Sequence, residues 1–204
     1  MKDSAIEKLF VTKLYRAEIP RAARLNAELE KTCLIFARDD AAGRRWAREH
    51  NYRGYTSYAS LDDLPRRAPV FTELVKHLDG HARRFARGLD FTGKLALDSF
   101  WINVMDEGGM HTAHIHPHSV LSGTYYVVLP QSASAIRFED PRLGLMMAAP
   151  QKREPAAREN RQFVTVEPKS GTLLLWESWL RHEVPLNSAR GKRISVSFNY
   201  GLRS

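Results

Sequence analysis

At 204 residues, with 43% hydrophobic and 26% charged, the chain has room for one good core or a core with an appended helical layer. No apolar run approaches the roughly 20 residues that span a bilayer, MKDSAIEKLF lacks a signal-peptide pattern, and a lone Cys33 excludes an intrachain disulfide or a multi-cysteine zinc site. A reducing, cytoplasmic setting without membrane attachment is expected; the net charge of +8, with 19 Lys/Arg against 14 Asp/Glu in residues 1–100 and 12 against 9 in residues 101–204, is diffuse, so a nucleic-acid partner is compatible but unsupported.

One domain, 1–204, is expected, with a helical and irregular support region over about 1–92 and a strand-rich core over about 93–204. In chain order, Pro20 suits the first turn of a helix, and Leu25, Leu29, Cys33 and Phe36 form one helical face. The tyrosine-rich stretch Asn51 to Leu64 reads as irregular. A second helix is predicted from about Pro69 to Arg87, with Phe71, Leu74, Val75, Leu78, Ala82 and Phe85 as its apolar stripe and Gly88 as its stop.

The second half changes period. Leu95 to Met105 reads as a strand with Leu95, Leu97, Ser99, Trp101 and Asn103 on one face and Ala96, Asp98, Phe100, Ile102 and Val104 on the other. Further strands are predicted at 120–129, 135–138, 163–167, 172–177 and 193–199, separated by turn-forming residues. Residues 145–161 read as a long loop able to cover a site. Leading helices followed by many short strands predict an antiparallel sandwich or jelly roll with a helical layer against it.

The chemistry concentrates in HTAHIHPH, where four of eight histidines fall within eight residues. Neutral imidazole is the commonest metal ligand, and in a strand His114 and His116 project together. His118 has the same parity but follows Pro117; His111 has the opposite parity and reads as loop. A third ligand should come from a distant strand, and His182, after the apolar run Thr172 to Trp176, is the best candidate. Asp106 and Glu107 are the nearest upstream carboxylates able to replace a histidine, whereas Glu183 should point away. Trp176 and Trp179 should shield the site, and of Tyr125 and Tyr126 at most one can face it. Eleven residues after His182, Arg193 and Ser195 share a strand face and can bind one carboxylate, for which the planar guanidinium fork is suited. The alternative is an internal salt bridge from Arg193 to Asp98, Glu139 or another internal carboxylate.

That ordered set, His114-Ile115-His116, Ser122-Gly123-Thr124-Tyr125-Tyr126, His182-Glu183-Val184 and Arg193 to Asn199 (RISVSFN), resembles the bacterial Fe(II)/2-oxoglutarate-dependent oxygenases. Trp101-Ile102-Asn103, Phe138 to Arg142 and the run Gly171 to Leu180 also match, so that the resemblance covers roughly residues 95–201. It implies a double-stranded β-helix with iron at its open end. It further implies that His114, His116 and His182 hold Fe(II), and that Arg193 with Ser195 holds the distal carboxylate of 2-oxoglutarate. Asn103 could donate to the metal-proximal carboxylate or serve structurally. The implied reaction consumes 2-oxoglutarate and O₂ and hydroxylates an unidentified substrate. His116 stands where most of the superfamily has a carboxylate, which leaves metal identity open. The alternatives are a cupin-like three-His dioxygenase, in which Arg193 and Ser195 would lack a carboxylate to bind, and a non-catalytic jelly-roll binding module with a structural metal or none.

Overall fold

The computed structural model describes residues 5–203. Its larger sheet has the strand order β1 (Leu14–Glu18), β8 (Thr172–Glu177), β5 (Leu121–Val128), β10 (Arg193–Arg203), β3 (Lys94–Met105), β2 (Gly54–Thr56). A smaller sheet has the order β4 (His111–His114), β9 (His182–Val184), β6 (Ile136–Glu139), β7 (Phe163–Val166). The pairings within both are antiparallel, as a jelly roll requires.

The two faces of the large sheet are both buried, which explains its near-continuous apolar strands. Leu173 and Leu175 of β8 point to the helical side, into a core shared with Leu25, Leu29 and Cys33 of α1 (Ala22–Asp39) and Phe71, Leu74, Leu78 and Phe85 of α4 (Pro69–Gly88). Leu174 and Trp176, one residue out of phase, point to the small sheet and pack with Tyr126, Ile136, Phe138 and Val166. Both predicted helical stripes are thus packing faces, and the six predicted strands form close to their expected bounds.

Several elements depart from expectation. Pro20 lies ahead of α1 rather than in its first turn, and Arg21 caps the helix in the left-handed region at φ 57°. Two helices, α2 (Ala41–Glu49) and α3 (Leu64–Arg67), were not predicted. Neither were β1 and β2, through which the first 92 residues supply both edges of the large sheet. Within the stretch read as irregular, Gly54 adopts φ +130° and an added Cβ would meet the Val104 carbonyl oxygen at 2.1 Å, so glycine is needed for β2 to reach β3. Residues 145–161 carry two single 3₁₀ turns at their flanks, Leu143–Leu145 and Arg158–Asn160, and do not line the cleft between the sheets.

The most consequential departure is in β3. β10 pairs Asn199 with Ser99 but Tyr200 with Leu97, so Asp98 is an extra residue, a β-bulge. Alternation therefore inverts at Asp98. Leu95 and Leu97 pack with Phe100 and Ile102 on the helical side, while Ser99, Trp101 and Asn103 face the cleft. The single five-residue face expected from the sequence is split in two. Among the described residues no helix is long and apolar enough to cross a membrane.

Candidate metal centre and its cleft

A cleft of about 750 Å³ opens between the sheets. At its centre His114 closes β4, His116 follows two residues later, and His182 opens β9 opposite His114 in the ladder. One ring nitrogen from each lies within 4.8 Å of the other two, the spacing of groups able to hold one metal ion. The sheet enforces this: His114 and His182 are register partners, and the His116 amide donates to the Ser178 carbonyl at 3.0 Å, tying the residue after β4 to the turn before β9.

The imidazoles are oriented by backbone. His182 Nδ1 is 2.8 Å from the Leu180 carbonyl and His114 Nδ1 is 2.6 Å from the Thr112 carbonyl. A carbonyl only accepts, so each Nδ1 carries the proton and each Nε2 keeps its lone pair, as a metal-ligating histidine requires. Burial, followed by the neighbouring His114, pushes His182 down to about 3 and His116 down to about 4, so both are neutral near pH 7. Trp176 stands edge-on to His182 with ring centroids 4.7 Å apart, and Phe138 packs 6.0 Å from it. Trp179, in contrast, is 47% exposed and shields nothing here.

His111 lies outside the trio, yet it is strand rather than loop. Between His111 and His114 the β4–β9 register slips by one residue, so both face the same way despite their odd separation. His111 Nε2 meets the Tyr52 hydroxyl at 3.0 Å, the two rings stack, and burial followed by the Arg193 charge pushes the imidazole down to about 3. His118 sits past the turn at φ 71° and lines a separate shallow hollow. Asp106 accepts from Lys192 at 2.8 Å and Glu183 pairs with Arg137, so neither carboxylate belongs to the trio. Tyr126 faces the cleft, while Tyr125 faces the helices and donates to Asn26 at 2.6 Å.

Arg193 is only 1% exposed. Its Nε donates to the Ser134 carbonyl at 3.2 Å, its Nη1 to Ser195 Oγ at 3.3 Å, and its guanidinium lies 5.3 Å from the centre of the Tyr126 ring. It has no carboxylate partner among the described residues: Asp98 accepts from Ser119, and Glu139 pairs with Arg181. Asn103, 2% exposed, accepts from Thr56 through Oδ1 and donates to Ser197 through Nδ2. One amide N–H of Asn103 is left over. Tyr52 and Thr56, both within the stretch read as irregular, line the cleft as well; β2, which holds Thr56, is too short to show a strand pattern, and Tyr52 precedes it.

Residues 99–199 match the model of a family described as "Putative 2OG-Fe(II) oxygenase". Among curated proteins no sequence relative was found. Among solved structures the fold is similar to a prolyl-4-hydroxylase from Pseudomonas putida (TM-score 0.60, 15% identity, covering 95% of this chain and 94% of that one). It is also similar to HygX from Streptomyces hygroscopicus, crystallised with nickel and 2-oxoglutarate (0.60, 13%, 94% and 82%). A third is a prolyl hydroxylase from Trichoplax adhaerens in complex with a hypoxia inducible factor peptide fragment (0.60, 15%, 92% and 83%). At these identities the likeness is one of fold.

Proposed function

Through residues 99–199 the chain belongs to the 2OG-Fe(II) oxygenase family, and from that premise we propose that His114, His116 and His182 hold its Fe(II) while Arg193, with Ser195, holds the distal carboxylate of 2-oxoglutarate. The donor set suits the metal: three imidazoles, two with backbone-fixed tautomers, are good ligands for ferrous iron. The observation that carries the reading is Arg193. A guanidinium buried to 1% beside this trio, with no carboxylate among the described residues, calls for an anion that the chain does not itself supply. The cupin-like alternative leaves that charge unmatched.

When bound, iron with O₂ and 2-oxoglutarate supplies the oxidation that turns a substrate C–H into C–OH as 2-oxoglutarate becomes CO₂ and succinate. The chain's own work is placement. The Arg193 fork and the Ser195 hydroxyl fix the far end of the co-substrate, with Tyr126 as its wall. The free N–H of Asn103 is available to the carboxylate nearer the metal. Trp176 and Phe138 keep water from the back of His182. With one histidine in place of the usual carboxylate, the site is one unit more positive than the common two-His, one-carboxylate arrangement. A reducing compartment such as the cytoplasm suits a ferrous site and a chain whose single cysteine is free and buried.

Titration of 2-oxoglutarate into metal-loaded protein tests this. Losing one partner of a desolvated charge pair costs about 2–5 kcal/mol, so Arg193→Ala should raise the dissociation constant at least tenfold while leaving metal binding nearly intact. Arg193→Lys should recover only part of the loss, because a point charge cannot reproduce the fork. Ser195→Ala should cost on the order of 1 kcal/mol. Wild-type protein that binds no 2-oxoglutarate at millimolar concentration would overturn the assignment.

A further inference from the structure

The cleft is electrostatically two-ended. Its lysine and arginine lining consists of Arg193 and Arg53, both at the end where β2 and β10 meet Met105. Seven residues back along β3, roughly 20 Å at ~3.3 Å per residue, the lining has a single carboxylate, Asp98, and no cationic side chain. Asp98 is the bulge residue of β3, and bulges re-aim side chains beside active sites. Strict alternation would have turned it toward the helical core with Phe100. Instead Asp98, itself exposed to solvent, lines the cleft, accepts from Ser119 Oγ at 3.2 Å, and forms no ion pair with any described residue. Ser119 is three residues from His116, so the carboxylate sits on the order of 10 Å from the imidazole trio.

The same cleft carries an aromatic wall. Trp101, 8% exposed, packs 5.8 Å from His116; Tyr58, 60% exposed, stands edge-on to Trp101 at 5.3 Å; Trp46 follows at 6.4 Å. A carboxylate sharing a cleft with indole and phenol rings is chemistry that recognises an ammonium or guanidinium group, through a charge pair and cation–π contact together. We propose that Asp98, Trp101 and Tyr58 form the prime-substrate subsite and that the substrate carries a cationic group, such as an amine or guanidine, held there while a neighbouring carbon reaches the metal. The inference rests on the oxygenase reading for which end of the cleft takes the co-substrate.

The test uses metal-loaded protein without O₂, titrated calorimetrically with 2-oxoglutarate and then with four probes: the Nα-acetyl amides of lysine, arginine, norleucine and glutamate. The lysine or arginine probe should bind at least tenfold more tightly than norleucine, about 1.4 kcal/mol, and glutamate more weakly still. Asp98→Asn should erase that preference and Asp98→Lys should reverse it in favour of glutamate, both with 2-oxoglutarate affinity unchanged. If 2-oxoglutarate binds but the cationic probes do not, or bind no better than norleucine, the subsite is overturned and the co-substrate reading stands. If 2-oxoglutarate fails to bind while the Asp98-dependent preference persists, the subsite stands and the co-substrate assignment falls.

Discussion

His182 is held by the Leu180 carbonyl at Nδ1, by Trp176 against its face and by β9 pairing with β4, so its Nε2 points without competition from an internal donor. That preorganisation makes it the most informative proposed ligand to remove. His182→Ala should lose tight metal binding, read as metal content after dialysis against a weak chelator, while its circular dichroism stays that of wild type. The wild type should also melt higher with metal present; a hundredfold excess over the dissociation constant stabilises by about 2.7 kcal/mol, and His182→Ala should show no such rise. A variant that keeps its metal would sink the three-His assignment. At this scale the sequence was largely readable. His114 and His116 share a face by their spacing, and the long-range partner His182 was marked by its position after a strongly apolar run. His111 was misread as loop because its strand parity is reset by a register slip in β4, which depends on how β9 pairs with it and leaves no local signature.

Asp40 shows the same limit for whole elements. It caps α2, accepting from the Gly43 amide at 3.0 Å, and also accepts from the Tyr55 hydroxyl at 2.9 Å and from Ser60, so one carboxylate joins α2, β2 and the turn after it. Gly43 is glycine because an added Cβ would lie 2.4 Å from Asp40 Oδ2. Neither α2 nor β2 was predicted: the first is nine arginine-rich residues with little apolar stripe, the second three residues paired to β3, and both are held by this side-chain junction rather than by a long pattern. Asp40→Ala should therefore destabilise by about 1–2 kcal/mol, the usual loss at a helix cap. Burial pushes the Asp40 carboxyl up, but the hydrogen bonds from Ser60, the Gly43 amide and Tyr55 outweigh it and hold the group below its ordinary value. Because the folded-state pKa is depressed, this stabilisation is complete above the unfolded value near ~3.9 and is lost as pH falls through the folded one. Urea melts of wild type and Asp40→Asn should accordingly converge as pH drops below about 4; a gap independent of pH would show that the charge does not matter.

For the whole molecule, six of the eight strands of the second half were legible because each is a run of at least four residues rich in β-branched, aromatic or leucine side chains, and the jelly roll follows from their number. The division of labour between the halves was not, since the sequence gives no sign that Leu14–Glu18 pairs with β8 or that Gly54–Thr56 pairs with β3. Those pairings cover both edges of the large sheet, which would otherwise present unpaired backbone along β8 and β3. The helical layer is as much a part of the core. Phe71, Leu74, Leu78 and Leu29 are fully buried against a sheet face that carries Ile102, Leu173, Leu175, Val196 and Phe198. Each buried side chain of this size contributes about 1.5–3 kcal/mol, so losing the helical layer would remove stabilisation comparable with the roughly 5–15 kcal/mol net stability of an ordinary domain. A fragment beginning at residue 93 would keep the three imidazoles, Arg193 and Asp98 in its sequence but lose Tyr52 and Thr56 from the cleft, both covering edge strands and the lid over one sheet face. It should be aggregated or, if held in solution, bind a hydrophobic dye strongly, melt without a cooperative transition and take up no metal under conditions in which the full chain does. A fragment that melts cooperatively and binds metal with full-length affinity would show instead that residues 1–92 are an accessory to the site rather than part of the single domain that builds it.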